Sequence, residues 1–224
     1  MTGDNIKLYS YWRSSACYRV RIALNLKQLP YETIPVHLAN NEQHAAGFHD
    51  INPQELIPVL KHGGRMLRQS LAIMDYLDEN WENNRPLMPN VARDRQRVRA
   101  ISQMIACDIH PLNNLRVQQY LEKEFGAKEK QREAWTRRWI SDGFDAVEAV
   151  LADSTATGSY CEGDAPTMAD CCLVPQVYNA LRVGMKLDKY PNIVRINAEC
   201  LQLPAFDEAR PEKQPDCPAE NRAK

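Results

Sequence analysis

The chain has 224 residues, a formal net charge of −1, and ordinary shares of hydrophobic (44%) and charged (25%) residues. Such values are typical of a globular protein with one large or two modest domains. They give no reason to expect a nucleic acid or an anionic membrane as a partner. No apolar run approaches the roughly 20 residues needed to cross a bilayer, and the polar N-terminus lacks a secretory signal. We therefore expect a cytoplasmic protein.

The seven cysteines are scattered along the chain, and no two of them form a C-x-x-C pair. This pattern argues against a zinc ribbon and against a thioredoxin-type dithiol. The histidines that precede the linker show no metal-ligand spacing either; they are His37, His44, His49 and His62. We expect reduced, mostly buried thiols and no metal.

The chain begins with a predicted strand, helix and second strand. Residues 6–12 alternate apolar and polar groups, which predicts a strand. Ser14 and Ser15 suit the N-cap of a helix, and apolar residues recur after them at helical spacing. Residues 29–38 predict another strand. Pro35 indicates that it lies at a sheet edge, because proline cannot donate to a central ladder.

A hairpin and a helix follow. Residues 56–70 predict two short strands joined at a Gly-Gly turn, and Ser70 begins a helix with one apolar face. The order β-α-β-β-β-α, with a loop or helix before the hairpin, is a thioredoxin-like arrangement. We assign this α/β domain to residues 1–84. A polar linker with two prolines, residues 82–90, comes next.

Beyond the linker the pattern is helical, and we assign residues 91–210 to an all-α domain. Its first helix carries an apolar stripe that is interrupted at Pro111. A later helix begins with a capping box, Thr167 followed three residues later by Asp170. Residues 211–224 are rich in proline and charge and predict a loose C-terminal tail.

Two features of the first domain suggest a peptide-like ligand. Pro58 opens a central strand, and a cis Ile57-Pro58 bond would turn the Ile57 backbone outward to pair with an extended peptide. A trans proline at a strand start is the alternative. The Gln69-Ser70 pair begins a helix, where backbone N–H groups and a hydroxyl suit a carboxylate. An ordinary N-cap would explain the same dipeptide.

Over about residues 8–219 the chain resembles the zeta class of the cytosolic glutathione transferases, the maleylacetoacetate isomerases. The motifs that carry the resemblance are YSYWRSSACYRVRIAL, INPQELIPVL, RQSLAIMDYL, CDIHPLNNLR, GDAPTMADCCLVPQVYNA and QPDCPAE. The resemblance implies a thioredoxin-like domain that binds glutathione as cofactor, an all-α substrate domain and a homodimer.

The resemblance also implies the residues of the glutathione site. Two serines lie beside the thiol and are the implied catalytic groups, while other residues hold the carboxylate ends and pair with the cysteinyl backbone. The serines beside the thiol are Ser14 and Ser15. The residues that hold the carboxylate ends are Gln43, Gln69 and Ser70. Ile57 pairs with the cysteinyl backbone and is followed by Pro58 in the cis form.

The cysteine of the family's motif is displaced in this chain. The usual Ser-Ser-Cys run is Ser14-Ser15-Ala16 here, and the cysteine follows one place later as Cys17. One residue corresponds to about 100° of helix rotation. We therefore expect Cys17 to be a spectator. A serine hydroxyl and a helix N-terminus both favour a thiolate, so we expect glutathione to supply the nucleophile.

A second set of residues is expected to bind the substrate. His110, Asn114 and Arg116 stand about one or two helical turns apart and resemble the bacterial members that isomerise maleylpyruvate. Arg182 and Arg13 add guanidinium groups, which bind carboxylates through paired hydrogen bonds. Each residue has a plainer interpretation: His110 as a cap or core residue, and Arg182 as a surface residue at a helix end.

Thiolate addition turns a cis double bond into a single bond and leaves an enolate; rotation and elimination then give the trans isomer. The leading hypothesis is isomerisation of maleylacetoacetate to fumarylacetoacetate in aromatic amino-acid breakdown. The same chemistry on maleylpyruvate is a close alternative. A broader alternative is that the same thiolate conjugates or dehalogenates other small electrophiles. A non-catalytic ligand-binding protein is least favoured, because it need not retain all three glutathione-site motifs.

Overall fold

The computed structural model describes residues 5–82 and 84–222. Its strands and helices, in chain order, are β1 (Ile6–Ser10), α1 (Ser15–Leu26), β2 (Tyr31–Pro35), α2 (Ala46–Ile51), β3 (Val59–His62), β4 (Arg65–Arg68), α3 (Ser70–Asn80), α4 (Ala92–Gln103), α5 (Leu115–Phe125), α6 (Glu129–Ala152), α7 (Met168–Arg182), α8 (Pro191–Leu201) and α9 (Pro204–Asp207). None of the described helices is both long and apolar enough to span a membrane.

The described chain folds into two compact units. The α/β unit contains the residues up to Leu87 and those from Gln202 onward, and the helical unit is Met88–Leu201. The first boundary lies close to the expected one near residue 84. The second lies earlier than residue 210, because the chain returns to the α/β unit at Gln202.

The sheet of the α/β unit has the strand order β2-β1-β3-β4. β1 pairs with β2 in parallel and with β3 antiparallel, and β3 continues antiparallel into β4. This is the predicted thioredoxin-like arrangement. β2 lies at the edge, which explains how the strand ends in Pro35 without a missing ladder bond. The hairpin turns at Gly63 and Gly64, where φ is +53° and +77°, in the left-handed region that glycine adopts freely.

Helix α1 is buried on nearly every side, because it packs against α3 and α9. Its apolar residues Val20, Ile22 and Leu24 are fully buried, and so is Arg21. A helix that is covered all round carries a stable core but leaves no solvent for its arginine side chains. The hydrogen-bond partners of these arginines are therefore groups of the protein rather than water.

Residues 211–222 are folded, which differs from the expected loose tail. Short 3-10 turns form at Pro211–Lys213 and Ala219–Asn221, and Gln214 and Cys217 between them are buried. The Gln214 amide donates to two backbone carbonyls of the preceding segment, each at 2.9 Å. Proline and charge here mark tight turns rather than disorder.

The first helix of the helical unit is not continuous. After α4 the chain passes through a π-helical turn at Met104–Ile109 and a 3-10 turn at His110–Asn113. The apolar stripe predicted here is buried as far as Ile109. Gly143 of α6 faces it, and a Cβ at that position would lie 2.2 Å from the Ile109 Cδ1 atom. Glycine therefore permits the close approach that holds the bent segment.

The predicted capping box at the start of α7 is confirmed. The Thr167 hydroxyl accepts from the Ala169 N–H, and the Asp170 carboxylate accepts from the Thr167 N–H at 2.7 Å and from its hydroxyl at 2.9 Å. Asp170 also accepts from the Cys161 N–H at 2.9 Å. Burial raises the pKa of this carboxyl, while these hydrogen bonds act in the opposite direction.

Candidate functional site

The loop between β1 and α1 presents a serine hydroxyl at a helix N-terminus. Ser14 is the N-cap of α1, with an extended backbone, and its Oγ accepts the Cys17 N–H at 3.3 Å. A hydroxyl has one proton and two lone pairs. This bond uses one lone pair and leaves the hydroxyl its proton, for which the neighbouring Cys17 thiol is one acceptor. Ser15 opens the helix and is buried.

Cys17 lies in the core rather than at the site. It is fully buried within an apolar cluster that includes Tyr11, Trp12, Ile57 and Val59. Burial raises the pKa of its thiol, and the nearby Arg21 guanidinium only partly offsets this effect. A buried thiol with a raised pKa supplies little thiolate, so the geometry agrees with the spectator role expected from its displaced position.

The peptide bond that leads into β3 has the expected conformation. The Ile57-Pro58 peptide is cis, as predicted. Val59, directly after it, pairs with Tyr9 of β1. Two further residues of the expected glutathione site, Gln69 and Ser70, lie at the start of α3.

Helix α3 begins without a side-chain cap. Gln69 is its N-cap residue, with φ +69°, but its side chain makes no capping bond and instead donates to the Gln54 Oε1 atom at 2.9 Å. A non-glycine residue at this φ is held under backbone strain. The structure therefore does not support the ordinary N-cap interpretation. The uncapped N–H groups of α3 suit an anion.

The hydroxyl of Ser70 is held by a buried arginine. Arg19 of α1 donates through Nη1 to the Ser70 Oγ at 3.1 Å, and both residues are nearly inaccessible to solvent. Since this bond uses a lone pair of the hydroxyl, the Ser70 proton is again available as a donor. Arg19 thus links the start of α3 to α1.

Gln43 lies in a short 3-10 turn, Glu42–His44, and is 5% exposed. Its Oε1 atom is buried without a hydrogen-bond partner among the described residues. A buried acceptor needs a donor, which an ammonium or amide N–H of a ligand would supply. The flanking His44 and His49 are exposed and both bond to Glu55.

Arg21 is a residue that the sequence pattern did not single out. Its guanidinium donates to the Ala209 carbonyl at 3.1 Å, the Ser10 hydroxyl at 3.2 Å, and the carbonyls of Tyr11 and Trp12 at 3.4 and 3.0 Å. Tyr11 and Trp12 directly precede Arg13 and Ser14. Its place on the buried face of an apolar helix was the only feature of the sequence that could have indicated a role for this arginine.

The structure places three of the expected substrate residues at one junction. His110 lies in the 3-10 turn before α5, Asn114 is the N-cap of that helix, and Arg116 is exposed in its first turn. The Asn114 side chain accepts the Arg116 N–H at 3.1 Å, so Asn114 has a capping role in any case.

The two other expected substrate residues lie elsewhere in the fold. Arg182 is exposed in the last turn of α7, where a cation also complements the helix dipole. Arg13 belongs to the α/β unit and is exposed, with its guanidinium carbon 5.2 Å from the centre of the Trp12 ring.

Comparison with known proteins agrees with this geometry. Residues 8–85 match the family model described as glutathione S-transferase, N-terminal domain. A relative from Vibrio cholerae named "Probable maleylacetoacetate isomerase" is 50% identical over 93% of this chain and 97% of its own. A Ralstonia maleylpyruvate isomerase is 49% identical over 94% and 99%.

Solved structures give the same result. A holo maleylpyruvate isomerase described as a bacterial zeta-class transferase has a TM-score of 0.93 and 48% identity, over 95% of this chain and 100% of its own. This chain belongs to the zeta class of glutathione transferases. A second similar structure is the maleylacetoacetate isomerase of Methylobacterium extorquens AM1, solved with bound malonate and GSH (TM-score 0.92, 40% identity, 95% and 100% coverage).

In this zeta-class transferase the thiols differ sharply in exposure, since Cys107 is exposed and the other six cysteines are buried. We expect a thiol reagent to modify one thiol per native chain rapidly and all seven after unfolding. Spectrophotometric thiol titration measures both numbers. The Cys107→Ala variant should lose the rapid reaction, and the Cys17→Ala variant should keep it. Loss of the rapid reaction in Cys17→Ala would show that Cys17 is reactive after all.

Proposed function

We propose that this zeta-class transferase binds glutathione in its α/β unit. We further propose that it uses the thiolate to isomerise maleylacetoacetate to fumarylacetoacetate. The observation that carries the proposal is the position of the Ser14 hydroxyl at the α1 N-terminus, which it caps through a lone pair, so that its proton can turn towards a bound thiol. The relatives named as isomerases, and the related structure that contains glutathione, support the same conclusion.

The α/β unit offers groups that fit each part of the tripeptide. The uncapped start of α3 and the Ser70 hydroxyl suit a carboxylate, and the buried Gln43 oxygen suits an ammonium or amide donor. The backbone of Ile57 precedes the cis bond and is proposed to pair with the cysteinyl unit. Ser14 and Ser15 are then the groups proposed to meet the thiol.

Activation of the thiol follows from the same groups. A free thiol has a pKa of about 8.5, so only a few per cent is ionised at neutral pH. A hydroxyl that donates to sulfur stabilises the anion, and the N–H groups at the start of a helix add positive potential. Both effects lower the pKa of the bound thiol. Cys17 is buried and need not take part.

The reaction conserves all atoms and electrons. The thiolate forms a C–S bond with one carbon of the cis double bond, and the π electrons move onto the conjugated carbonyl oxygen as an enolate. Rotation occurs about the resulting single bond. The enolate then restores the carbonyl and the trans double bond, and the thiolate leaves. Glutathione is regenerated, which makes it a cofactor rather than a co-substrate.

Maleylpyruvate is the second candidate substrate, and the reaction class is unchanged. It is favoured by the His110, Asn114 and Arg116 set at the start of α5, and by the close similarity to relatives named maleylpyruvate isomerase. We propose that this set, with Arg13 and Arg182, binds substrate carboxylates. Parallel rate measurements with the two substrates, with and without glutathione, decide between them.

Loss of the Ser14 hydroxyl should raise the pKa of the bound glutathione thiol and lower kcat/KM roughly 100-fold, the usual effect of removing one donor from a developing anion. Ser14→Ala also removes a helix cap, whereas Ser14→Gly costs α1 only a few tenths of a kcal/mol. We therefore expect similar activity losses in both variants. Ultraviolet absorbance against pH gives the thiol pKa.

Ser154→Ala in the helical unit is the matched control, because its hydroxyl accepts only a local bond from Ala156. It should behave as the wild type. Full activity in Ser14→Gly would contradict the proposed role of the hydroxyl. If Ser15→Ala alone lost activity, the role would pass to Ser15.

The charge of Arg116 should matter only for carboxylate-bearing substrates. A hydrogen bond to a charged group contributes about 1.5–3 kcal/mol. Arg116→Met should therefore lower kcat/KM roughly 10- to 100-fold for the diketo acid, yet leave glutathione conjugation of a neutral aryl halide nearly unchanged. Arg138→Met, an exposed arginine paired with Asp142, is the control. Equal losses on both substrates would contradict a carboxylate contact.

We also propose a cytoplasmic homodimer, which the resemblance to the zeta class implies. One chain has a mass of 25.7 kDa. Sedimentation at micromolar concentration should give about twice that mass, as expected for a closed two-fold assembly. A monomer mass at all concentrations would contradict the proposed assembly and leave the chemistry untouched.

A further inference from the structure

The last described residues of the chain reach back to the loop that carries the proposed catalytic serine. The Asp216 Oδ2 atom accepts the backbone N–H of Trp12 at 2.8 Å, across 204 residues of sequence. Trp12 is two residues before Ser14 and is 5% exposed. Without Asp216, this buried N–H would have no acceptor in the described structure.

The same peptide group is held from its other side. The carbonyl of Tyr11 shares the planar peptide with the Trp12 N–H, and it accepts from the Arg21 Nη1 at 3.4 Å and from the Ser14 N–H at 3.0 Å. The next carbonyl, that of Trp12, accepts from the Arg21 Nη2 at 3.0 Å. Arg21 and Asp216 thus fix the loop from opposite ends of one rigid unit.

Asp216 itself is fixed by the fold of its segment. The neighbouring Cys217 is buried in the apolar cluster that contains Tyr11 and Trp12. Arg222 closes the turn, since it donates to the Cys217 carbonyl at 3.0 Å and to the Pro215 carbonyl at 3.2 Å. The segment therefore presents a carboxylate to the loop in a defined position.

The second oxygen of Asp216 makes this arrangement costly. Its Oδ1 atom is buried without a hydrogen-bond partner among the described residues. An unpaired buried carboxylate oxygen lowers stability, so the group is not explained by stability alone.

We propose that Asp216 is a positioning residue for the glutathione thiolate: by holding the Trp12 N–H it sets the place of the Ser14 hydroxyl. The C-terminal segment, residues 211–222, is then part of the catalytic apparatus although it touches no reacting atom. The inference rests on the proposed function. It predicts an effect on thiolate stabilisation and rate rather than on the groups that hold the carboxylate ends.

The decisive variant is Asp216→Ala, with Glu220→Ala as its control. Glu220 is an exposed carboxylate of the same segment. In Asp216→Ala the pKa of the bound glutathione thiol should rise towards the free value near 8.5. A displacement of about 1 Å at a reacting group can cost 100-fold, so kcat should fall roughly 10-fold or more. KM for glutathione should change little, because the α3 N-terminus and Gln43 are untouched.

Asp216→Asn tests whether the accepting oxygen is what matters. Its amide oxygen can still accept the Trp12 N–H, so the thiol pKa and kcat should return close to those of the wild type. Arg222→Ala is a milder surface change that loosens the same turn, and it should move both quantities in the same direction by a smaller amount. It keeps the inference testable if Asp216→Ala fails to fold.

The inference is overturned if folded Asp216→Ala or Arg222→Ala melts at a lower temperature but retains the wild-type thiol pKa and kcat. That result would describe a structural role only. A wild-type protein that does not lower the thiol pKa of glutathione would instead refute the proposed function, and the positioning role with it. If the wild-type protein lowers the thiol pKa but isomerises neither diketo acid, the pH titration of the bound thiol in Asp216→Ala still tests the positioning role.

Discussion

The guanidinium of Arg21 organises the α/β unit from its centre. It is fully buried, it has no carboxylate within salt-bridge distance among the described residues, and its charge is shared among the Ser10 hydroxyl and three backbone carbonyls. Burial lowers the pKa of Arg21, and nearby acidic groups, Cys17 first among them, oppose that shift. Because hydrogen bonds to a charged group are each worth about 1.5–3 kcal/mol, this side chain holds the loop before Ser14 to the backbone at Ala209.

This constraint fixes the backbone of the loop that leads into α1 at Ser14. A helix N-terminus offers its N–H groups and dipole only over the first turn, so a displaced cap loses much of the effect. Ser14 caps the helix with a lone pair, and in the proposed function it donates its proton to the glutathione sulfur. The same side chain can therefore stabilise the fold and an anion, provided that the residues before it, Tyr11 and Trp12, do not move.

Features with local partners could be predicted from the sequence. The Gly-Gly hairpin and the Thr167–Asp170 box depend on residues within a few positions of one another, and the edge position of β2 was indicated by Pro35 itself, which has no N–H to donate. At Ile57-Pro58 the conflict between proline and a central strand left both the cis and the trans bond open, and only the resemblance to the zeta class implied the cis form that the structure has.

The remaining features depend on distant partners. Arg21 and Ala209 are separated by 188 residues, and Trp12 and Asp216 by 204, so no window of the sequence contains both members of either pair. Composition alone therefore indicated a loose tail. The lack of a side-chain cap at Gln69 could not be predicted either, because a polar residue before a helix usually caps it. Only the backbone angle and the direction of the side chain show otherwise.

Two arginines on the buried helix α1 thus hold two different parts of the α/β unit. Arg19 holds the Ser70 hydroxyl at the start of α3, and Arg21 holds the carbonyls that precede Ser14. They lie two residues apart, which is roughly 200° around the helix, so the two side chains leave it on opposite sides. In the proposed function one side fixes the groups for a ligand carboxylate and the other fixes the group for its thiol. Because α1 is rigid and buried, the spacing between these two ligand contacts is set by the helix itself and not by the loops that carry them.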